Sequence, residues 1–246
     1  MKKLEPTYLR YVYDELGGGS LSSDNASSLP HGFIGLFEKE FSSDIPISQR
    51  SSTLRRLCLW ALLKKAVSSE FVSEVLKENT DSTKALIDTY SKWFNSPEPG
   101  KYVLFHDRLR SYLIQKLSDH EVQEINEQLI AYLEQSLESS VGEESELYAL
   151  EHLSTHMAVE SQLENNYKRL HAFVNREDLW PRQVRASKEY KWSQKGVQYG
   201  IMEASRRQNN KNLNIVAINS INLQKDEESN YKEILNLIEN DELDLC

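Results

Sequence analysis

The chain has 246 residues, with 29 Lys and Arg against 38 Asp and Glu, a formal charge of −9, and 39% hydrophobic residues. This is the composition of a globular protein long enough to bury a core without disulfides or a structural metal, and its acidic balance argues against a long phosphate-binding face. Cys58 and Cys246 lie too far apart for a CxxC site and fit a reducing cytoplasm; the longest apolar run, Leu57 to Leu63, is about a third of a bilayer span, and no basic-then-apolar leader opens the chain, so no membrane partner is expected.

Gly and Pro cluster at Gly17 to Gly19, Pro30 to Gly35 and Pro97 to Gly100 and leave long stretches at helical period, which predicts a mainly α fold. From Thr53 to Ala66 the residues Leu54, Leu57, Cys58, Ala61 and Leu62 form a stripe that Leu59, Trp60 and Leu63 widen, predicting a helix nearly surrounded by protein. Ser68 is placed to cap a second helix, carrying Phe71, Val72, Val75 and Leu76. Asp81 is placed to cap a third, carrying Leu86, Ile87, Tyr90 and Trp93.

The only convincing β signal follows. Trp93-Phe94, the turn Asn95 to Gly100 and the run Lys101 to Phe105 predict a small hairpin with a Pro/Gly-rich tip. Three helices and a hairpin are the order of a winged helix. Asp107 sits where an N-cap belongs, ahead of a helix with Leu109, Tyr112, Leu113 and Leu117. Ser118-Asp119-His120-Glu121 then offers a capping box for a helix with Val122, Ile125, Leu129, Leu133 and Leu137.

Beyond a break at Glu138 to Glu144, helical segments are expected at about 146–162, 165–175, 193–207, 213–223 and 230–239. Their spacing suggests stacked helical pairs of the tetratricopeptide kind, although no internal repeat fixes a period. The acidic, cap-free end at Asp241 to Cys246 looks cut rather than finished.

The segment Tyr102 to Leu113 is the most informative, because it sets a histidine at the exit of a hairpin strand immediately before a helix start. Phe105-His106-Asp107 resembles the Met/Phe-His-Asp motif of STAND-class signalling NTPases with NACHT or NB-ARC modules. That resemblance implies that His106 reaches the β-phosphate of bound ADP, with Phe105 and Asp107 supporting it and Asp107 ordering the turn. An imidazole can donate to a phosphate oxygen. Equally, a strand-end histidine can serve only to bond a nearby backbone carbonyl.

Three further stretches carry the resemblance. Leu4 to Val12, with Pro6, Tyr8 and Leu9 matching, is similar to the family's Gly-x-Pro segment and implies a nucleotide contact for Pro6, although Leu4 stands where the Gly belongs. Pro6 is also what the first turn of an ordinary helix accepts. Leu29 to Phe37 is similar to the linker from the helical lid into the winged helix. Tyr148 to Met157 resembles the Tyr-xxx-His-Leu-xx-His-Leu helix that follows the winged domain. The implied domains are 1–47, the end of a helical lid and its linker; 48–117, a winged helix; and 118–246, a helical domain that starts a sensor array.

No GxxxxGK[ST] loop and no apolar strand ending in acids occurs, so the chain is not expected to hydrolyse ATP alone. The expectation is a regulatory, nucleotide-state-sensing and protein-interaction arm, without its own cofactor, of a switch that holds ADP or ATP. Its partners would be an NTPase core in the same protein or a neighbouring product and a protein trigger or effector. The beginning inside a Gly-x-Pro segment suggests an expressed piece or a split gene.

The alternative is a stand-alone winged-helix nucleic-acid binder or helical protein-binding module. For groove reading, however, the third helix region offers only Lys84 and Lys92. His152 and His156, at i and i+4, have a zinc-compatible spacing but no HExxH glutamate and no third ligand nearby in sequence, so helix packing is the favoured reading and no metal is assigned. Arg182, Arg185, Lys188, Lys191 and Lys195 with Trp180, Tyr190 and Trp192 form a basic aromatic stretch, read as solvated charge over a packing row rather than a nucleic-acid surface.

Overall fold

A computed structural model describes residues 45–139, 142–159 and 164–239, together with Gly35, Phe37, Glu38 and Phe41. It is mainly helical, with one small antiparallel sheet. Two compact units divide it, residues 1–126 and 127–246. Among the described residues no helix is long and apolar enough to cross a membrane.

In the first unit, α1 (Arg50–Leu62) buries Leu54 and every residue from Leu57 to Leu62. After its polar first turn the run of apolar side chains is interrupted only by Arg55 and Arg56, so the C-terminal half of the helix must be wrapped by its neighbours. Each such buried leucine contributes about 1.5–3 kcal/mol of transfer free energy. The chain then pairs briefly as β1 (Val67–Ser68) and turns into α2 (Ser69–Leu76). Ser68 Oγ accepts from Phe71 N–H at 3.0 Å, the cap its sequence position predicts. The next helix, α3 (Thr80–Thr89), is capped by Asn79 and not by Asp81: Asn79 Oδ1 accepts from Asp81 N–H at 2.8 Å. Asn79 holds the extended backbone a cap needs, whereas Asp81 already lies within the first turn.

A 3-10 turn, Ser91–Trp93, leads into β2 (Phe94–Glu98) and β3 (Lys101–Leu104). The sheet order is β1-β3-β2, all antiparallel. Pro99 and Gly100 alone make the turn, with Gly100 at φ 75°, so the predicted tip contracts and Asn95 to Glu98 become strand. Pro97 is accommodated because β2 is an edge strand, where a missing N–H breaks no ladder bond.

Next come α4 (Asp107–Gln115), packed on α1, and α5 (Asp119–Glu138). The capping box at Ser118 and Glu121 is reciprocal: Ser118 N–H donates to Glu121 Oε2 at 2.9 Å and Glu121 N–H to Ser118 Oγ at 3.3 Å. The boundary between the units, after Asn126, falls within α5.

The second unit continues with α6 (Glu143–Val159), α7 (Glu164–Val174), α8 (Leu179–Ser187), α9 (Lys191–Arg206) and α10 (Asn210–Glu239). Sequence reading overlooked α8 and divided α10 in two at Leu223 to Asn230, where the structure runs on as one helix of 30 residues. Helix α9 is the hub and touches α6, α7, α8 and α10. Its close approaches need small residues: a Cβ on Gly200 would lie 3.1 Å from both Val174 Cγ2 and Val216 Cγ1, while one on Gly196 would meet Val174 at an ordinary 3.6 Å. A buried polar link adds direction, since Gln183 Nε2 donates to Leu150 O at 2.7 Å and Ser193 Oγ donates to Gln183 Oε1 at 2.8 Å.

Candidate functional site

The strand-to-helix junction after β3 is built by its neighbours. Phe105 N–H donates to Trp93 O at 3.0 Å, which extends the sheet by one residue, and the Phe105 ring meets Phe37 edge-on at 6.3 Å. Phe37 is buried and also packs on Tyr112 of α4 at 5.6 Å, so the aromatic side chains fix where α4 begins.

His106 is the N-cap of α4. Its backbone is extended, at φ −151° and ψ 139°, and its Nδ1 accepts from Arg108 N–H at 3.0 Å. The expectation that Asp107 caps this helix is therefore corrected. Asp107 is already helical, its side chain is fully exposed, and its carboxylate sits 3.7 Å from Arg110 Nε; as a first-turn acid it complements the helix dipole. Arg110 itself reaches across to donate from Nη1 to Leu63 O at the end of α1.

This geometry selects a tautomer. Because Nδ1 accepts, the neutral ring carries its proton on Nε2, the one nitrogen able to donate to a phosphate or other acceptor while the cap stays made. A doubly protonated ring would leave Arg108 N–H without this acceptor. Pro6, Tyr8 and Leu9 lie outside the described residues, as does most of the Leu29 to Phe37 linker.

In α6, Tyr148, His152 and His156 form a buried aromatic row. Tyr148 OH and His156 Nε2 are hydrogen-bonded at 3.1 Å, the Tyr148 ring lies 4.8 Å from that of His152, and His152 Nε2 is 3.4 Å from Glu151 Oε2. Among the described residues no group of three His, Cys, Asp or Glu is placed to hold a metal ion. Cys58 is buried in α1, and burial pushes its thiol up to about 12, which leaves it without thiolate reactivity.

In the basic aromatic stretch Arg182 and Tyr190 are engaged within the second unit, whereas Arg185, Lys188 and Lys191 are exposed. Arg182 donates to Glu146 Oε1 at 2.8 Å, to Asp178 Oδ2 at 3.2 Å and to Leu137 O at 3.1 Å. Hydrogen bonds from Arg176 and then Arg182 hold the Asp178 carboxyl down to about 2. Tyr190 OH donates to Asp226 Oδ2 at 2.7 Å and Gln194 Nε2 to Glu227 Oε2 at 2.7 Å, and the Lys188 to Tyr190 connection, the start of α9 and α10 line a shallow, mixed-charge concavity of about 370 Å³. In the first unit, Lys84 of α3 is paired with Glu70 at 2.9 Å.

No protein-family model, curated protein or solved structure matches this chain.

Two features escaped sequence reading. The capping role of His106 has only a weak signal, because a histidine ring is an uncommon cap and an aspartate adjoins it. The outward face of α10 had a clear one: Lys211, Ile218, Lys225 and Lys232 recur every seven residues, a period hidden when the helix was divided.

Proposed function

We propose that this chain is the nucleotide-state-sensing and protein-interaction arm of a STAND-type NTPase switch. It supplies no P-loop of its own; ADP or ATP would be held by an NTPase core in the same protein or a neighbouring product. The observation that carries this reading is His106 capping α4 through Nδ1, at the exit of β3, with Nε2 as the ring's donor. The order α1, β1, α2, α3, β2, β3, with β3 central in the sheet, supports reading residues 48–117 as a winged helix, and the packed helices of the second unit support reading it as a sensor array.

In this mechanism the neutral His106 ring donates from Nε2 to the β-phosphate of ADP and holds the winged helix closed over the nucleotide. A protein trigger engaging the helical unit favours the open state, in which that bond is absent. A ligand shifts such an equilibrium only through a contact that differs between the two states, and the phosphate bond is that contact.

The test joins the chain to its P-loop core and compares His106→Ala with His106→Asn. Asparagine keeps an N-cap acceptor but has no imidazole donor, whereas alanine loses both and costs about 1 kcal/mol of stability. Both variants should release ADP at least about tenfold faster, the loss of one charge-assisted bond of about 1.4 kcal/mol or more. Unchanged ADP release in both overturns the assignment of His106. The absence of any P-loop core encoded with the chain overturns the arm itself and moves a stand-alone helical protein-binding module to first place. The nucleic-acid reading is disfavoured, since Lys84, one of the two lysines it relied on, is held by Glu70.

A further inference from the structure

Helix α10 shows two unlike faces. Inward, Val216 and Leu223, seven residues apart, are buried. Its acids on that side are occupied, with Asp226 accepting from Tyr190 and Glu227 from Gln194. Outward, Lys211, Asn214, Ile218, Ile221, Lys225, Glu228 and Lys232 follow one another at alternating spacings of four and three residues, the seam of a helix that pairs with another helix. Ile218 and Ile221 are 58% and 51% exposed and Ile215 beside them 36%, a density of large aliphatic side chains unusual on a free surface.

The charges along this seam identify what would cover it. Lys211, Lys225 and Lys232 are exposed, and none is in an ion pair with a described residue, although the second unit carries 21 acidic residues against 13 basic ones. In this unit Arg169, Arg176 and Arg182 each bridge two acids, whereas the outward stripe of α10 sets three lysines without an ion pair against the single acid Glu228, a net positive charge around an apolar centre. We infer that the outward face of α10 docks an acidic amphipathic helix of a protein partner, whose aliphatic residues pack on Ile215, Ile218 and Ile221 and whose carboxylates meet Lys211, Lys225 and Lys232.

Other occupants fit less well. A second copy would bring three lysines and one glutamate against the same set, and like charges repel across a helix seam. An anionic membrane would attract the lysines, but three isoleucines without Trp or Phe bury little area, and the surplus of acids in the unit opposes approach. The inference does not rest on the nucleotide role proposed for His106, and its test contains no nucleotide.

The probe is a synthetic helical peptide of three heptads, Leu at the seam and Glu on both flanks, with a control carrying Lys in place of every Glu. Binding to the full chain is read by fluorescence anisotropy. The acidic peptide should bind with a Kd of about 100 µM or tighter, a free energy near −5.5 kcal/mol, and at least about tenfold better than the basic control. Ile218→Asp with Ile221→Asp should weaken it at least about tenfold. Lys211→Glu, Lys225→Glu and Lys232→Glu together should invert the preference between the two peptides. All five side chains are exposed, and circular dichroism checks that helix content is kept.

No binding, or equal binding of the two peptides, overturns the inference. So does partition onto phosphatidylcholine vesicles with about one-third phosphatidylserine that the Ile218 and Ile221 changes abolish while the peptide is ignored. A dimer in sedimentation velocity that the same changes dissolve would identify a second copy as the occupant and likewise overturn it.

Discussion

Residues 1–126 and 127–246 are similar in length but hold themselves together differently. The first unit carries 16 basic and 17 acidic residues and the second 13 and 21, so nearly all of the net charge belongs to the second. Around α1 the first unit closes on large buried side chains, with Trp60 lying edge-on to Phe94 at 5.1 Å and Trp93 against Tyr90 at 5.3 Å. In the second unit, helices approach α9 through glycine, and arginines lace the outside. Arg169 spans Glu127 and Glu134 at 2.6 Å each, and Arg176 joins Glu138 to Asp178. The glutamates at 127, 134 and 138 lie along one stripe of α5, so they face the arginines together. Both units bury an apolar core; large aromatic side chains mark that of the first, whereas close backbone approach at α9 and arginines that each bridge two acids mark the second.

That contrast can be broken at its strongest point by Trp60→Ala. Removing a side chain only 1% exposed should cost about 3–5 kcal/mol through lost burial and a cavity, read from the denaturation midpoint of the first unit's tryptophan fluorescence. A loss below about 1 kcal/mol would mean that the aromatic packing is not what holds this unit.

A smaller and more discriminating effect is expected on α9. Gly200→Ala should destabilise by about 1–2 kcal/mol, because the new methyl presses on two stiff, buried valines from two sides, and this exceeds the helix-propensity gain of about 1 kcal/mol. Gly196→Ala, which meets only ordinary contacts, should be neutral or stabilising by up to about 1 kcal/mol. Equal effects at the two positions, measured by thermal melting, would remove close approach as the reason for glycine.

The smallest effect is expected from Arg169→Met. The methionine keeps much of the apolar stem but none of the bridging charge, and the two carboxylates it leaves are about two-fifths exposed. The expected loss is about 1 kcal/mol at low salt, shrinking toward zero at about 1 M salt as screening weakens the pairs. A loss that does not depend on salt would show that Arg169 acts through packing of its stem.

Sequence reading fared best where chemistry is local. The all-round apolar run of α1, the Ser68 cap and the reciprocal box at Ser118 and Glu121 each depend on residues within a few positions of one another, as does the hairpin turn, although its expected span of Asn95 to Gly100 contracts to Pro99-Gly100. It fared worse where two local signals competed or where a long-range partner decided the outcome. Asp81 and Asp107 both looked like caps, yet Asn79 and His106 hold the cap geometry. The strand β1 is only two residues long and exists because β3 pairs with it. Helix α8 was hidden by its two arginines, one of which, Arg182, turns out to be paired inside the unit, and α10 by an Asn- and acid-rich middle that reads as a break but packs on α9.

The sequence by itself determined that this protein is mainly helical with one hairpin, and that a histidine stands between that hairpin and the following helix. Caps, turns and amphipathic periods are written within about four to seven residues, so they can be read without knowing the fold. Only the tertiary structure decided which nitrogen of His106 caps α4, which arginines are paired and which lysines of α10 are not. Those outcomes join residues such as Arg169 and Glu127, 42 positions apart, and burial by distant packing, not neighbouring sequence, determines whether a polar group finds its partner in the protein or in water.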